Sequence, residues 1–300
     1  MENIMERNEF AVKVYVCSTW ENVKILSQDR SIHILVVDET YAKRDCSEVD
    51  AEQIFVLTTG NCKNVYREEK CVYKYQCVDQ ILSEILETYF ERTKENVMKS
   101  VKKEFVKIIA IYSPIHRVGK TSFAIAFGKE LAKFKKVLYL NMEEYFGYGE
   151  MFEQIDNGNL GDALYYTKQE NSNFGLRLRM LVRTIDELDY IPPMPVSLDL
   201  KEVLWEEWKV LFKQIVEDSV YEVILLDIGE SVQGLLKMLD LCDRIYMPVL
   251  EDDVSQEKLR QYEENLQRLQ LERLMEKTYM FIGLQDIENK MRQLVKEEVL

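Results

Sequence analysis

The segment SPIHRVGKTS at residues 113–122 constrains the fold more than any other, because it joins an apolar strand to a helix. A loop in that position lets backbone N–H groups at the helix start surround a phosphate group. We expect Gly119 to let the backbone approach the phosphates, Lys120 to reach the β and γ oxygens, and the Thr121 hydroxyl to hold Mg²⁺. The segment therefore predicts a strand–loop–helix unit of a parallel α/β sheet.

The loop departs from the full phosphate-loop pattern, which requires glycine where this chain has Pro114. Short GKT sequences also occur by chance, so a loop retained only for its fold stays an alternative. The strand before it and the helix after it favour binding. The predicted cofactor-binding residues are Pro114, Ile115, His116, Arg117, Val118, Gly119, Lys120, Thr121 and Ser122.

Apolar runs alternate with amphipathic stretches from residue 105 to the end of the chain, which predicts a doubly wound sheet. Asp227 follows four apolar residues at the end of a buried strand and is a candidate Mg²⁺ ligand with Thr121. Residues 144–200 are expected to be irregular. The predicted strands are 105–113, 136–143, 222–229, 243–250 and 278–284, and the helices are 120–134, 204–215, 255–270 and 286–298.

The chain is predicted to form two domains. A smaller α/β domain covers residues 1–92, a helical linker covers 93–104, and the phosphate-loop domain covers 105–300. Strands separated by helical segments imply right-handed crossovers and a parallel sheet. The predicted strands are 10–17, 32–39, 53–60 and 71–76, and the helices are 19–30 and 78–92.

Charge and composition exclude several classes of protein. The net charge of −14 disfavours nonspecific nucleic-acid binding, which relies on Lys and Arg. No apolar run approaches the roughly 20 residues of a membrane-spanning helix, and the charged N-terminus lacks a signal peptide, so stable membrane insertion is not expected. The six cysteines form no CxxC pair, which favours reduced thiols over a zinc site. A cytoplasmic protein is expected.

The loop, the strand KVLYLNMEEYFG, the strand VILLDIGES and the run CDRIYMPVLEDDVSQEKL together resemble the ParA/MinD superfamily of deviant Walker ATPases over about residues 105–300. Within it the chain is most similar to the TadZ/CpaE branch, which places a receiver-like domain before the ATPase. The resemblance implies binding of ATP and Mg²⁺, a nucleotide-dependent homodimer, pilus or secretion apparatus proteins as partners, and a position at the cell pole.

Two departures from that superfamily bear on catalysis. Its signature lysine, which reaches the partner's nucleotide, corresponds to Ile115, and its two strand-end aspartates correspond to Asn141 and Glu143. Glu143 could orient the attacking water, but its longer arm displaces the carboxylate, and an error of about 1 Å can cost roughly a hundredfold in rate. With Lys120 and Glu143 as the catalytic candidates, the resemblance predicts weak or absent hydrolysis.

Residues 10–92 resemble part of a response-regulator receiver domain. Asp38 corresponds to the phospho-acceptor, Thr58 or Thr59 to the switch hydroxyl, and Lys74 to the conserved lysine. The strand at 10–17 is followed by no acidic pair, so we interpret it as the second receiver strand of an incomplete, N-terminally truncated domain. It is expected to be a pseudo-receiver without a competent phosphorylation site.

Three functions remain open from the sequence. The first is a nucleotide-dependent positioning protein, the second a metabolic P-loop enzyme, and the third a pseudo-ATPase scaffold that binds no nucleotide. The first requires the amides near Val118 and Gly119 and the ammonium of Lys120 to converge on a triphosphate. A Lys120 engaged by a carboxylate of its own chain, with no room for a ligand, would contradict it.

Overall fold

The computed structural model describes residues 14–42, 48–60, 70–76, 81–82, 84–86, 88–89, 105–147, 158–169, 174–282 and 287–299. They belong to two compact units, Met1–Lys99 and Ser100–Leu300. No helix among these residues is both long enough and apolar enough to cross a lipid bilayer.

The first unit contains a parallel three-stranded sheet in the order β1-β2-β3. The Thr19 side chain accepts a hydrogen bond from the Asn22 amide and so caps the first helix. Trp20 of that helix is buried with Val37 and Val56 of the sheet. Its elements are α1 (Trp20–Asp29), β1 (Ile32–Asp38), α2 (Glu39–Ala42), β2 (Ala51–Thr58) and β3 (Lys70–Tyr73).

The predicted strand at 10–17 is wrong for residues 14–17, which are outside any strand, while residues 10–13 lie outside the described part of the chain. Val16 is 71% exposed, so this segment lacks the buried face that stabilises a strand. Cys71 is disulfide-bonded, which corrects the expectation of reduced thiols, whereas Cys17 and Cys242 are free.

The predicted helix at 78–92 is helical at 81–82, 84–86 and 88–89, where Ile85 and Tyr89 are buried, and its other residues lie outside the described part. The predicted linker at 93–104 also lies outside it.

The second unit contains a seven-stranded sheet in the order β10-β9-β4-β8-β5-β7-β6, parallel except for β6. Its strands are β4 (Lys107–Ile111), β5 (Val137–Met142), β6 (Arg183–Ile185), β7 (Leu188–Ile191), β8 (Val223–Ile228), β9 (Arg244–Val249) and β10 (Thr278–Ile282). Its helices are α3 (Lys120–Ala132), α4 (Leu160–Thr167), α5 (Phe174–Leu181), α6 (Ser197–Glu202), α7 (Trp205–Asp218), α8 (Leu235–Leu241), α9 (Asp253–Arg268), α10 (Arg273–Glu276) and α11 (Ile287–Val299).

Helices cover both faces of this sheet, as the predicted doubly wound α/β fold requires. Side chains alternate along β5, so that Leu138 and Leu140 join one core with Trp208 of α7, whereas Tyr139 joins the opposite core with Phe123 of α3. All six residues of β8 are buried, because the strand is central and covered on both faces.

Residues 158–169 and 174–200 are largely regular, so the expectation of an irregular segment at 144–200 is wrong for them. They form α4, α5, β6, β7 and α6, and β7 extends the sheet beside β5. Elements of three to eight residues give too short a periodic signal for sequence reasoning. Their burial decides their structure: α4, α5 and α6 contribute to the core that contains α7, whereas Leu188 and Tyr190 of β7 join the opposite core with α3. The short helices α8 and α10 were not predicted either.

The C-terminal helix packs beside α3 through Met291, Leu294 and Val295, which are buried in the same core. Its Glu298 carboxylate is fully buried and pairs with Lys107 and Arg244. The hydroxyl of Tyr246 donates a 2.6 Å hydrogen bond to the same carboxylate. This cluster joins the helix to β4 and β9.

We predict that Glu298→Ala lowers the free energy of unfolding by about 2 kcal/mol, because it leaves buried Tyr246 and two cations without their acceptor. Urea unfolding followed by tryptophan fluorescence measures the change. Glu297→Ala, at an exposed neighbouring position on the same helix, is the control and should change stability by less than about 0.5 kcal/mol. Equal effects of the two substitutions would contradict the anchoring role.

Candidate phosphate-binding site

Three parallel strands bring the candidate site residues to one edge of the large sheet. Asp227 of β8 is in register with Ile111 of β4 on one side and with Asn141 of β5 on the other. The loop after β4, the residues after β5 and the residues after β8 therefore meet at the carboxyl ends of the strands. In open α/β sheets this edge is where ligands bind.

The loop between β4 and α3 is fixed by apolar contacts. Ile115 and Val118 are only 3% and 5% exposed and belong to the core, whereas His116 and Arg117 are exposed. Gly119 has φ of +80°, a left-handed conformation that glycine adopts without strain, and α3 begins at the next residue. The loop thus leads directly into the first turn of α3.

The Lys120 ammonium forms an ion pair and a hydrogen bond within its own chain. Its Nζ lies 2.5 Å from Oε1 of Glu143 and donates a 2.7 Å hydrogen bond to the carbonyl of Ile228. It also lies 5.7 Å from the ring centre of Tyr112. The Lys120 and Glu143 side chains keep only 12% and 22% of their surface exposed, so the pair is mostly buried but still reached by solvent.

Asp227 is completely buried, and burial raises its pKa to about 6 even though the charge of Lys120 lowers it. Its Oδ2 accepts hydrogen bonds from the Tyr139 hydroxyl at 3.1 Å and from the Asn141 amide at 3.3 Å. The pKa of Tyr139 lies well above its ordinary value, chiefly because it is buried, so the tyrosine remains a donor.

The other oxygen of Asp227, Oδ1, is buried and has no hydrogen-bond partner among the described residues. An unsatisfied buried carboxylate oxygen needs a compensating partner, and Mg²⁺ prefers carboxylate and hydroxyl oxygens. The Thr121 hydroxyl is near enough to lower the pKa of Asp227. Asp227 and Thr121 therefore fit the donor set that a phosphate-bound Mg²⁺ requires.

Lys120, Thr121, Asp227 and Glu143 lie near one another at this edge of the sheet, and their roles in nucleotide binding and hydrolysis stay predictions. The amide of Ile115 donates to the Ser113 hydroxyl at 3.1 Å. Pro114 is half-buried in the loop, and Ser122 is exposed in the first turn of α3.

Sequence reasoning missed Tyr139, which donates a hydrogen bond to Asp227. Tyr139 lies two residues before Asn141 in the same strand, so the alternation of side chains could have placed both on the face that carries α3. Glu230 follows β8 and lies 3.3 Å from His116, a contact that only the folded chain reveals.

In the first unit, Asp38 and Lys74 form an ion pair at 3.1 Å. Hydrogen bonds from Thr40, and then from Lys74, hold the pKa of Asp38 below its ordinary value. The Thr59 hydroxyl donates to Glu39, and the Thr58 hydroxyl donates to the carbonyl of Gly60. No group of three or more His, Cys, Asp or Glu side chains that could hold a metal ion occurs in the part of the chain that the structure describes.

No protein-family model and no curated protein matches the chain. Among solved structures, a plasmid partition protein from Borrelia burgdorferi bound to AMPPNP is similar at 22% identity over 60% of this chain and 75% of its own, with a TM-score of 0.46. A ParA family ATPase from Chlorobium tepidum is similar at 17% identity over 59% and 73%, with a TM-score of 0.47. The MinC:MinD complex of Aquifex aeolicus is similar at 18% over 59% and 68%, with a TM-score of 0.43. All three similarities lie below 25% identity and below a TM-score of 0.5.

We predict that Asp227→Asn becomes more stable relative to the wild type as pH rises. The folded-state pKa of about 6 exceeds the ordinary 3.8, so the folded wild type loses stability as Asp227 ionises between these values. The variant has no carboxyl group to ionise there. In urea unfolding without Mg²⁺, the stability difference should shift by about 2 kcal/mol in its favour between pH 4.5 and 7.5. A difference that is constant with pH would contradict the buried carboxylate.

We predict that Asp38 does not accept a phosphoryl group. The acidic pair that a receiver uses to hold Mg²⁺ is missing after the segment 10–17, which ends in Cys17 and is followed by Ser18. Incubation with acetyl phosphate and Mg²⁺ should leave the intact mass unchanged. A gain of one phosphoryl group that disappears in Asp38→Asn would refute this.

Proposed function

We propose that this chain is an ATP-binding positioning protein of the ParA/MinD type that acts as a nucleotide-dependent dimeric switch. The proposal depends on one observation above all. A loop lysine, a threonine at the helix start and a buried aspartate with an unsatisfied oxygen converge at the carboxyl ends of three adjacent parallel strands. That combination supplies a cation for phosphate and oxygen ligands for Mg²⁺ in one place.

Weak or absent hydrolysis is part of the proposal. Phosphoryl transfer depends on positioned cations that neutralise charge on the γ-phosphate. Ile115, at the position of the signature lysine, has no charge and its side chain is buried in the core, so it cannot reach a partner's nucleotide. Glu143 is held by Lys120. The chain thus lacks the signature lysine, and its Glu143 carboxylate is paired with Lys120 instead of being free to orient the attacking water. Both differences are expected to slow ATP hydrolysis.

The narrower assignment follows the sequence resemblance to TadZ/CpaE proteins. We propose that the chain positions a pilus or secretion apparatus at the cell pole from the cytoplasm, with residues 1–92 as a pseudo-receiver for docking. The ion pair between Asp38 and Lys74 supports a receiver-like arrangement of those two residues.

A second candidate function is a scaffold that binds no nucleotide. The contact of Glu143 with Lys120 favours it, because the cation expected to bind phosphate is already neutralised. The two functions differ in whether a nucleotide can displace the carboxylate.

We predict that Mg²⁺-AMPPNP binds the wild-type protein and that Lys120→Ala weakens binding by at least about tenfold, since it removes a charge-assisted contact to phosphate. Isothermal titration calorimetry measures the affinity, and light scattering measures dimerisation with and without nucleotide. Lys133→Ala is the matched control. Lys133 lies just after the C-terminal end of the same helix, away from the loop, and its ammonium pairs with Glu130.

Nucleotide-induced dimerisation that is lost in Lys120→Ala and kept in Lys133→Ala would support the positioning switch. Robust ATP turnover that survives Lys120→Ala would refute the site. If neither the wild type nor a variant lacking the Glu143 charge binds nucleotide, the scaffold is the better function.

A further inference from the structure

The Glu143 carboxylate is in direct contact with the ammonium group of Lys120, the lysine of the phosphate loop. Its Oε1 lies 2.5 Å from Nζ of Lys120, and the same ammonium donates to the Ile228 carbonyl at 2.7 Å. Carboxylate and phosphate oxygens are both anionic acceptors that bind ammonium groups at hydrogen-bond distance. A nucleotide phosphate that reaches Lys120 must therefore replace Glu143 or share the lysine with it.

The backbone around Glu143 holds the carboxylate in this position. The amide of Glu143 donates to Oδ1 of Asn141 at 3.1 Å, and Asn141 is itself bonded to Asp227. Gly229 lies directly against Glu143. A Cβ atom at residue 229 would be 3.1 Å from Oε2 and 3.2 Å from Cα of Glu143. The absence of a side chain at residue 229 thus lets the strand end carrying Glu143 pack closely beside β8.

The charges in the site oppose a second anion while Glu143 is present. The negative charge of Glu143 raises the pKa of Asp227, whereas the charge of Lys120 lowers it. Glu143 thus pairs with the Lys120 ammonium, and the nearby Asp227 carboxylate adds a second negative charge to its surroundings. Adding a triphosphate to that arrangement introduces repulsion, which in a partly buried site is weakly screened.

We propose that Glu143 is an intramolecular gate that occupies the phosphate position of Lys120 and must leave before nucleotide binds. This rests on the proposed function of the site as a nucleotide-binding one. Nucleotide then binds only those molecules in which the carboxylate has moved away. Its apparent dissociation constant is the intrinsic one divided by the fraction of such molecules, so the gate weakens binding. The longer arm of glutamate, compared with the aspartate implied by the resemblance, is what allows the carboxylate to reach Nζ.

The test compares binding of Mg²⁺-AMPPNP to wild type, Glu143→Gln and Glu143→Asp by isothermal titration calorimetry. Glutamine keeps the size of the side chain and removes its charge, so we expect about a tenfold lower dissociation constant. Aspartate keeps the charge but is one methylene shorter, and its dissociation constant should lie between the two. Thermal unfolding of each variant checks that it is folded.

Glu230→Gln is the charge-matched control, because Glu230 lies beside the same loop and pairs with His116 rather than with Lys120. A gain in affinity confined to the residue 143 variants supports the gate. The same gain in Glu230→Gln would overturn it, since the effect would then be general repulsion of anions.

The outcomes separate the gate from the proposed function. If the wild type binds nucleotide, Lys120→Ala does not, and Glu143→Gln binds no more tightly than the wild type, the gate is refuted and the binding site stands. If only the Glu143 variants bind, both proposals are supported. If no variant binds, the binding site fails and the gate fails with it.

Discussion

The site depends on the burial of one carboxylate at the end of the central strand. Asp227 has β4 on one side and β5 on the other, and its Oδ2 is bonded by Tyr139 and Asn141. A buried carboxylate is costly unless it is paired and hydrogen-bonded. The fold provides two neutral donors and a nearby ammonium, and it leaves one oxygen unsatisfied. Because Oδ1 is buried without a partner, it destabilises the fold, and it is also the oxygen that a bound Mg²⁺ would contact in the proposed function.

The loop between β4 and α3 is attached to the core by two of its own side chains. Ile115 and Val118 are buried in the core, whereas His116 and Arg117 are exposed. The loop leads directly to Lys120 at the start of α3, and that lysine pairs with Glu143. In the proposed function, the contact between Glu143 and Lys120 therefore controls access of a phosphate to the site.

Glu143 and Gly229 connect the two strand ends that border the lysine. The amide of Gly229 donates to the carbonyl of Met142 at 3.1 Å, so the segments after β5 and β8 are joined by backbone as well as by side chains. A change in the position of Glu143 would therefore be transmitted to the residues after β8.

The sequence by itself determined the order of the main strands and helices, because the apolar runs around Asp227 and the pattern around Gly119-Lys120-Thr121 are local signals. It also identified Lys120, Thr121, Asp227 and Glu143, since each follows or begins a predicted element. Residues 174–200 were missed because elements this short carry too little periodicity. Only the tertiary structure decided that Glu143 neutralises Lys120, that Tyr139 bonds Asp227 and that Ile115 faces the core. Those contacts join residues from different strands, and the register of a parallel sheet depends on packing rather than on the sequence near any one residue.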